Sequence, residues 1–203
     1  MPADETFAGL AAYVMGLPSR LGDVRLVAVD GPSGAGKTRF ALRLAKELDA
    51  PVVHTDDLLD GWDDQFTFWP RLEEQVLGPL RRGEVATYRR YLWHRGDFDP
   101  VPVSVGPAPV VLIEGATSAR RAIRPELSFA VFVSAPSGLR LERALVRDGD
   151  DSLAFRAYLE RWRVAEDRHF AVDETALHAD LVVDGTAETA DDRYERLWRR
   201  PPD

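Results

Sequence analysis

A short run of glycines that ends in a lysine and a threonine constrains this chain more than any other feature. Residues Gly31–Thr38 read GPSGAGKT and meet the pattern G-x-x-x-x-G-K-[ST] at every position. Glycines permit positive φ and let backbone N–H groups approach phosphate oxygens, and a helix that follows directs the positive end of its dipole at the same anion. Chance gives such a match on the order of once in a hundred chains of this length. The segment therefore predicts a phosphate cradle rather than an ordinary glycine-rich turn.

The last two residues of this motif have defined roles in nucleotide binding. Lys37 supplies a mobile cation for the β- and γ-phosphates, and the Thr38 hydroxyl is a ligand for Mg²⁺. ATP and Mg²⁺ are therefore the predicted cofactors. The predicted nucleotide-binding residues are Gly31, Ser33, Gly34, Ala35, Gly36, Lys37 and Thr38.

Short apolar runs alternate with segments of helical periodicity along the chain, which predicts a parallel sheet with helices on both faces. A length of 203 residues suits one such domain. We expect a P-loop NTPase fold, that is, a three-layer α/β/α sandwich with a five-stranded parallel sheet and a helical lid. The predicted strands are 24–29, 51–53, 110–113, 129–133 and 181–183, and the predicted helices are 6–15, 37–48, 138–146 and 153–170.

The remaining segments set the expected organisation of a single kinase domain. Residues 57–82 are predicted to be helical around 66–80, and 83–109 are predicted to be irregular with a short hairpin. We expect a core over 24–184, an acceptor-binding insertion over 60–109 and a lid over 137–160. Polar residues follow every predicted strand, and ligands bind beyond the carboxyl ends of such strands. These residues are Gly31, Asp56, Glu114, Ser134 and Asp184.

Two adjacent carboxylates follow the second predicted strand, at Asp56 and Asp57. Transfer of a phosphoryl group to a hydroxyl benefits from a base within hydrogen-bonding reach of that hydroxyl. Asp56 is the candidate base, and Asp57 either assists it or caps the next helix. The alternative is that both residues only cap that helix.

Glu114 ends the clearest predicted strand and is followed by a glycine. A carboxylate at this place in a P-loop fold can hold Mg²⁺ through water or orient the acceptor. The alternative is a partly solvated glutamate at the end of a strand.

Arginines and aromatic residues provide candidates for the lid and the acceptor site. Arg140, Arg143 and Arg147 share one helix face and could neutralise charge that develops in transfer, or form a solvated face paired with Glu142 and Asp148. Flat ligands stack on aromatic rings, although ordinary packing also explains a crowd of aromatics. The aromatics in question are Trp62, Phe66, Phe68, Trp69, Tyr88, Tyr91 and Trp93.

Taken together, these features resemble the uridine kinase family of P-loop nucleoside kinases over most of residues 24–184. The matching features are Gly31–Thr38, Asp56-Asp57, the 78–93 stretch GPLRRGEVATYRRYLW, Glu114-Gly115 and Arg143-x-x-x-Arg147-Asp148. The resemblance implies that Lys37, Asp56, Arg143 and Arg147 are catalytic, with Asp56 as the base and the arginines in the lid. The implied acceptor site contains Tyr88, Arg89, Arg90, Tyr91 and Trp93, and Asp57 and Glu114 complete the predicted substrate-binding residues.

The amino-acid composition of the chain limits the classes of partner that it is expected to bind. The chain has 34 acidic and 26 basic residues, a net charge of -8, so its surface repels a nucleic-acid polymer. It has no cysteine, which excludes disulfides and thiolate metal sites. No apolar run reaches the roughly 18 residues of a membrane span, and the first residues lack the features of a signal peptide. We expect a cytoplasmic protein whose partners are ATP and a small molecule.

Three function classes remain to be compared. The first is a kinase that phosphorylates a small acceptor hydroxyl, with a nucleoside as the first candidate. A nucleoside monophosphate kinase is the nearest alternative, because Arg89, Arg90, Arg120, Arg121 and Arg124 could bind an acceptor phosphate. A non-catalytic nucleotide-binding regulatory module is the second class, and it needs no base at Asp56. A motor ATPase is disfavoured by the short, acidic chain.

Overall fold

A central sheet of parallel strands organises the computed structural model, which describes residues 3–150, 152–187 and 189–200. The five predicted strands are all present, and each pairs in parallel with its neighbours among these five. They lie in the order β3-β8-β2-β9-β10, so the chain crosses over the sheet between successive strands. Their bounds are β2 Arg25–Asp30, β3 Val52–His54, β8 Val110–Glu114, β9 Leu127–Ser134 and β10 Leu181–Asp184.

Two antiparallel strands that the sequence analysis did not predict extend this sheet to seven strands. They are β1, Ala3–Thr6, and β11, Arg193–Arg199, and β11 lies between β10 and β1. Both are rich in charged residues, so they lack the apolar runs that marked the buried strands. β11 is hydrogen-bonded on both sides, so it needs no long apolar run. Its Tyr194 is buried, and its Arg196 pairs with Glu5 of β1 at 2.7 Å.

Apolar residues of the sheet alternate between its two faces, and each face has its own layer of helices and loops. Val27 and Val29 pack in a cluster with α1, Phe7–Met15, and α2, Lys37–Leu48. Leu26 and Ala28 pack in the other cluster, with residues 58–88 and 119–123. This alternation follows from the two-residue period of a strand. The predicted three-layer α/β/α sandwich is confirmed.

The segment 57–109 contains more regular structure than predicted. A continuous helical stretch runs through α3, Trp69–Leu72, a π-helical turn, Glu73–Leu77, and α4, Gly78–Arg81. Two small antiparallel pairs follow it. They are β4, Ala86–Tyr88, with β7, Val103–Val105, and β5, Tyr91–Leu92, with β6, Asp97–Phe98.

The described part of the chain has three helices after β9, and the first two carry side chains toward the predicted site. They are α5, Ser137–Asp148, α6, Leu153–Asp173, and the short α7, Thr175–His178. The first two confirm the predicted helices and extend each by a few residues. None of the helices formed by the described residues combines the length and apolar composition that crossing a bilayer requires.

Candidate nucleotide and acceptor site

The predicted phosphate cradle forms a turn between β2 and α2, at the carboxyl edge of the sheet. Gly31, Gly34 and Gly36 have φ of 138°, 77° and 103°. A Cβ at Gly31 would lie 2.3 Å from the Val133 carbonyl oxygen, and one at Gly34 would lie 2.5 Å from the Arg140 carbonyl oxygen. Both the backbone conformation and the close neighbours therefore require glycine at these two positions.

Several amides of this turn have no partner and are open to a ligand. Within the described residues, the N–H groups of Gly34, Gly36, Lys37 and Thr38 donate no hydrogen bond to the protein. These groups precede and begin α2, where the dipole of a helix favours an anion. Lys37 is buried, and its Nζ donates to the Pro32 carbonyl oxygen at 3.2 Å. A phosphate fits this arrangement, because free amides and a lysine converge on the same turn.

Ser33 differs from the prediction that it binds phosphate. Its amide donates to both carboxylate oxygens of Glu166 at 3.0 and 3.1 Å, and its hydroxyl donates to Glu166 Oε1 at 2.5 Å. Because both donors of Ser33 are already bonded to a buried carboxylate on α6, the residue anchors the turn and does not offer these groups to a nucleotide.

Glu114 lies beside the cradle and joins two residues that flank the cleft. Its Oε1 accepts a hydrogen bond from the Thr38 hydroxyl at 3.2 Å, and its Oε2 lies 2.7 Å from His54 Nδ1. The hydrogen bond to Glu114 raises the pKa of His54. The described residues contain no cluster of three or more His, Asp or Glu suited to a metal. Mg²⁺ in phosphoryl-transfer sites takes only one or two protein ligands, so Thr38 and Glu114 together fit this ion.

The two predicted aspartates follow β3 in a short 3₁₀ turn, Thr55–Leu58. The Asp56 side chain is open to the cleft on one side while protein surrounds it on the others. Loss of hydration in these surroundings raises the pKa of Asp56, the Lys37 charge opposes the shift, and the Glu114 charge adds to it. Burial also raises the pKa of Asp57, against the charges of His54 and Arg90. Within the described residues, no side chain caps this turn or the two short helices that follow it, so capping does not explain either carboxylate.

A cleft of about 400 Å³ connects the cradle to these carboxylates. Trp62 contacts the two other tryptophans that line the cleft. The centroid of its ring lies 4.7 Å from that of Trp93 and 5.6 Å from that of Trp162. The cleft therefore has one wall of indole rings and one wall of carboxylates. Its other lining residues are Ser33, His54, Asp56, Asp57, Leu59, Ala144, Arg147, Asp148 and Leu159.

Only part of the predicted acceptor set reaches this cleft. Trp93 lines it, and Tyr91 supports Trp93 from behind with a ring separation of 5.1 Å. Tyr88 is instead buried in the apolar cluster on one face of the sheet, because it alternates with exposed neighbours in β4. Arg89 and Arg90 are exposed and lie outside the lining, although Arg90 is close enough to Asp57 to oppose the rise of its pKa.

The three arginines of α5 have three different environments. Arg140 is buried, and its Nη1 lies 3.8 Å from Glu166 Oε2. Arg143 donates to the carbonyl oxygens of Gly34 and Gly185, each at 3.1 Å, so it braces the backbone of the cradle. Arg147 lines the cleft and pairs with Asp148 at 2.7 Å. Of the two predicted lid arginines, only Arg147 therefore faces the space where an acceptor would lie.

The sequence analysis missed four residues with clear places in the site. Asp30, at the end of β2, accepts from the amides of Gly31, Thr117 and Ala119 at 2.6, 2.9 and 2.8 Å. His54 lies two residues before Asp56 and was assigned no role from the sequence. Trp162 and Glu166 lie on the predicted helix 153–170 and were likewise assigned no role. Their four-residue spacing, which places them on one face of α6, was the available signal.

Comparison with solved structures identifies the fold. One match is a possible uridine kinase from Bacillus stearothermophilus, with a TM-score of 0.63 and 20% identity over 87% of this chain and 96% of that chain. Another is a candidate fructose transport system kinase from Silicibacter sp. TM1040, with a TM-score of 0.60 and 21% identity over 83% of this chain and 95% of that chain. No protein-family model and no curated protein sequence matches the chain. The chain therefore has the fold of these P-loop kinase structures.

Proposed function

We propose that this protein is an ATP-dependent small-molecule kinase that transfers the γ-phosphoryl group to a hydroxyl of the acceptor. The observation that carries the proposal is that Ser33 of the phosphate cradle and Asp56 line the same cleft. A cradle alone would serve any nucleotide-binding module, whereas a carboxylate in a cleft beside the cradle serves phosphoryl transfer. The similarity to two structures described as kinases supports the same proposal.

The residues of the site have separate roles in the proposed phosphoryl transfer. The amides of Gly34, Gly36, Lys37 and Thr38, with the Lys37 ammonium, bind the phosphates. Thr38 and Glu114 would hold Mg²⁺, which neutralises charge on the phosphate oxygens when bound. Asp56 accepts the proton of the acceptor hydroxyl, and Arg147 stabilises charge at the transferring group.

The charge of the cleft favours a neutral acceptor. Its lining has three aspartates, and its one arginine is already paired with Asp148. An acceptor with its own phosphate or carboxylate would meet like charges, which cost binding energy in a partly enclosed site. A nucleoside or another neutral polyol fits better, since indole rings stack on flat apolar faces and carboxylates accept bonds from hydroxyls. This observation disfavours a nucleoside monophosphate kinase.

A phosphorylation panel tests the proposal directly. With Mg²⁺ and ATP, we expect phosphorylated product from a neutral acceptor among uridine, cytidine and fructose, and none from CMP or pantothenate. Product formation is measured as ADP release and as a phosphorylated acceptor by mass spectrometry. Turnover of CMP alone would show that the anionic alternative is correct. Nucleotide binding without any acceptor-dependent ADP release would favour the non-catalytic module.

The indole wall yields a second prediction. Trp62→Ala removes the ring that contacts both Trp93 and Trp162, so the acceptor loses its stacking surface while the phosphate cradle keeps its contacts. We expect the KM for the acceptor to rise on the order of tenfold, consistent with the worth of one aromatic stacking contact, with little change in the KM for ATP. Trp69→Phe is the matched control, because Trp69 does not line the cleft. An unchanged acceptor KM would place the acceptor elsewhere.

A further inference from the structure

Glu166 makes the most unusual contact of the phosphate-binding turn. The residue lies in the middle of α6, far along the chain from the cradle, and only 1% of its surface is exposed. Its carboxylate accepts hydrogen bonds from the Ser33 amide and the Ser33 hydroxyl. A buried carboxylate costs folding free energy unless its oxygens accept hydrogen bonds, and the Ser33 donors satisfy this requirement for Glu166.

Trp162, one turn earlier on α6, completes the contact. Its Nε1 lies 3.0 Å from Glu166 Oε1 and 3.1 Å from the Ser33 hydroxyl oxygen, so the indole donates to both. Arg140 Nη1 lies 3.8 Å from Glu166 Oε2, so the guanidinium supplies a positive charge that compensates the charge of the carboxylate. We call Ser33, Trp162 and Glu166 the α6 anchor. Three of its hydrogen bonds converge on one oxygen, Glu166 Oε1.

The α6 anchor is adjacent to the groups that would bind the nucleotide. The next residue after Ser33 is Gly34, the first of the open amides, and Lys37 Nζ is bonded to the residue before Ser33. The charge of Glu166 also acts on Asp56 and Arg147, so the carboxylate lies within electrostatic reach of the acceptor side. A shift of Ser33 would therefore move the cradle relative to both substrates.

We propose that Glu166 is a positioning residue that sets the geometry of the phosphate cradle before nucleotide binds. A loop with three glycines at positive φ has many accessible conformations, and fixing one of its residues lowers the entropy lost when the ligand orders it. Trp162 serves two purposes, because its ring forms part of the cleft wall while its N–H holds the anchor. The consequence for nucleotide affinity rests on the proposed function, whereas the anchoring of Ser33 does not.

Nucleotide affinity in anchor variants tests the first part. We expect Glu166→Ala to weaken ADP and ATP at least tenfold by isothermal titration calorimetry, because the Ser33 amide then has no acceptor. Glu166→Gln keeps an oxygen at the position of Oε1, so we expect its affinities to stay within about threefold of the unmodified protein. Glu160→Ala is the matched control, since Glu160 lies on the exposed face of the same helix and pairs with Arg163. Nucleotide affinities in Glu166→Ala equal to those of the control would overturn the proposal.

Amide hydrogen exchange in the nucleotide-free protein tests the second part without any assumption about activity. We expect exchange of the Ser33 amide to accelerate at least tenfold in Glu166→Ala and less in Glu166→Gln, while amides of β9 keep their protection. Trp162→Phe retains the ring packing and removes one donor, so it provides a milder variant if Glu166→Ala does not fold. Unchanged Ser33 exchange in both variants would show that α6 does not anchor the turn. If the unmodified protein binds no nucleotide, the proposed function fails while this measurement still decides the anchor.

Discussion

Replacing Asp56 with asparagine is expected to lower turnover by about 10² to 10⁴, the contribution of a positioned base, while nucleotide affinity stays within a few-fold. The substitution keeps the shape of the side chain and removes its ability to take a proton. Nucleotide affinity is expected to survive because Asp56 makes no hydrogen bond to the cradle among the described residues. Steady-state kinetics with the acceptor found by the panel, together with calorimetric binding of ADP, measures the two effects separately.

Two further variants place this result in context. Lys37→Ala removes the buried cation of the cradle, so both binding and turnover are expected to be lost. Asp57→Asn changes the neighbouring carboxylate, which is half-buried, and is expected to lower turnover on the order of tenfold. Because the protein surroundings raise the pKa of Asp56, the acid limb of the pH–rate profile should lie above the usual 3.8 of an aspartate. Full activity in Asp56→Asn would eliminate it as the base.

Replacing Asp30 with alanine is expected to destabilise the fold by about 3–9 kcal/mol, on the basis of about 1–3 kcal/mol for each of three buried donors that lose their acceptor. Asp30 is fully buried and accepts from three amides, one in the cradle and two in the loop after β8. A loss of this size is a large fraction of the stability of an ordinary domain. Urea unfolding followed by circular dichroism measures it, with Asp23→Ala, an exposed residue before β2, as the control.

The same carboxyl has a characteristic pH dependence. Burial raises the pKa of Asp30 to about 6 from an ordinary 3.8. Between these values the folded protein holds a proton that the unfolded chain releases, so this group favours folding most at low pH and its contribution falls as the pH rises to 6. The change amounts to about 3 kcal/mol at about 1.4 kcal/mol for each unit of difference between the two pKa values. In Asp30→Asn this part of the pH dependence of unfolding should be absent. If the two proteins keep a constant difference in unfolding free energy from pH 4 to 6, Asp30 does not titrate in this range.

The parts of the fold that follow from local pattern were predictable from the sequence. The cradle, α2 and the five buried strands each carry a motif or an apolar run, and the structure has all of them. The antiparallel strands β1 and β11 were not predicted, because their charged side chains form cross-strand pairs such as Arg196 with Glu5. Such pairs depend on which strands become neighbours, and no local pattern shows this.

The site shows the same division between local and long-range information. The positions of Asp56 and Glu114 at the carboxyl edge of the sheet were predictable, because Asp56 closely follows one predicted strand and Glu114 directly follows another. The sequence analysis assigned Ser33 to the phosphate, since its motif position gives no sign that a glutamate on α6 binds it. Tyr88 was assigned to the acceptor site and Arg143 to the lid by resemblance to a family. The environment of Tyr88 depends on which face of β4 is buried, and that of Arg143 depends on how α5 packs against the cradle. Long-range contacts therefore decide what these residues touch.

The indole-lined cleft gives the protein an intrinsic optical reporter. Trp62, Trp93 and Trp162 are three of the five tryptophans in the chain, and the Trp62 ring contacts the other two where an acceptor would enter. Most of the tryptophans therefore lie in the surface that a ligand would cover, so the intrinsic fluorescence of the protein should report on this surface. Occupancy of the cleft should be readable as quenching or a spectral shift in unlabelled protein, which makes screening of acceptors feasible before any product is known.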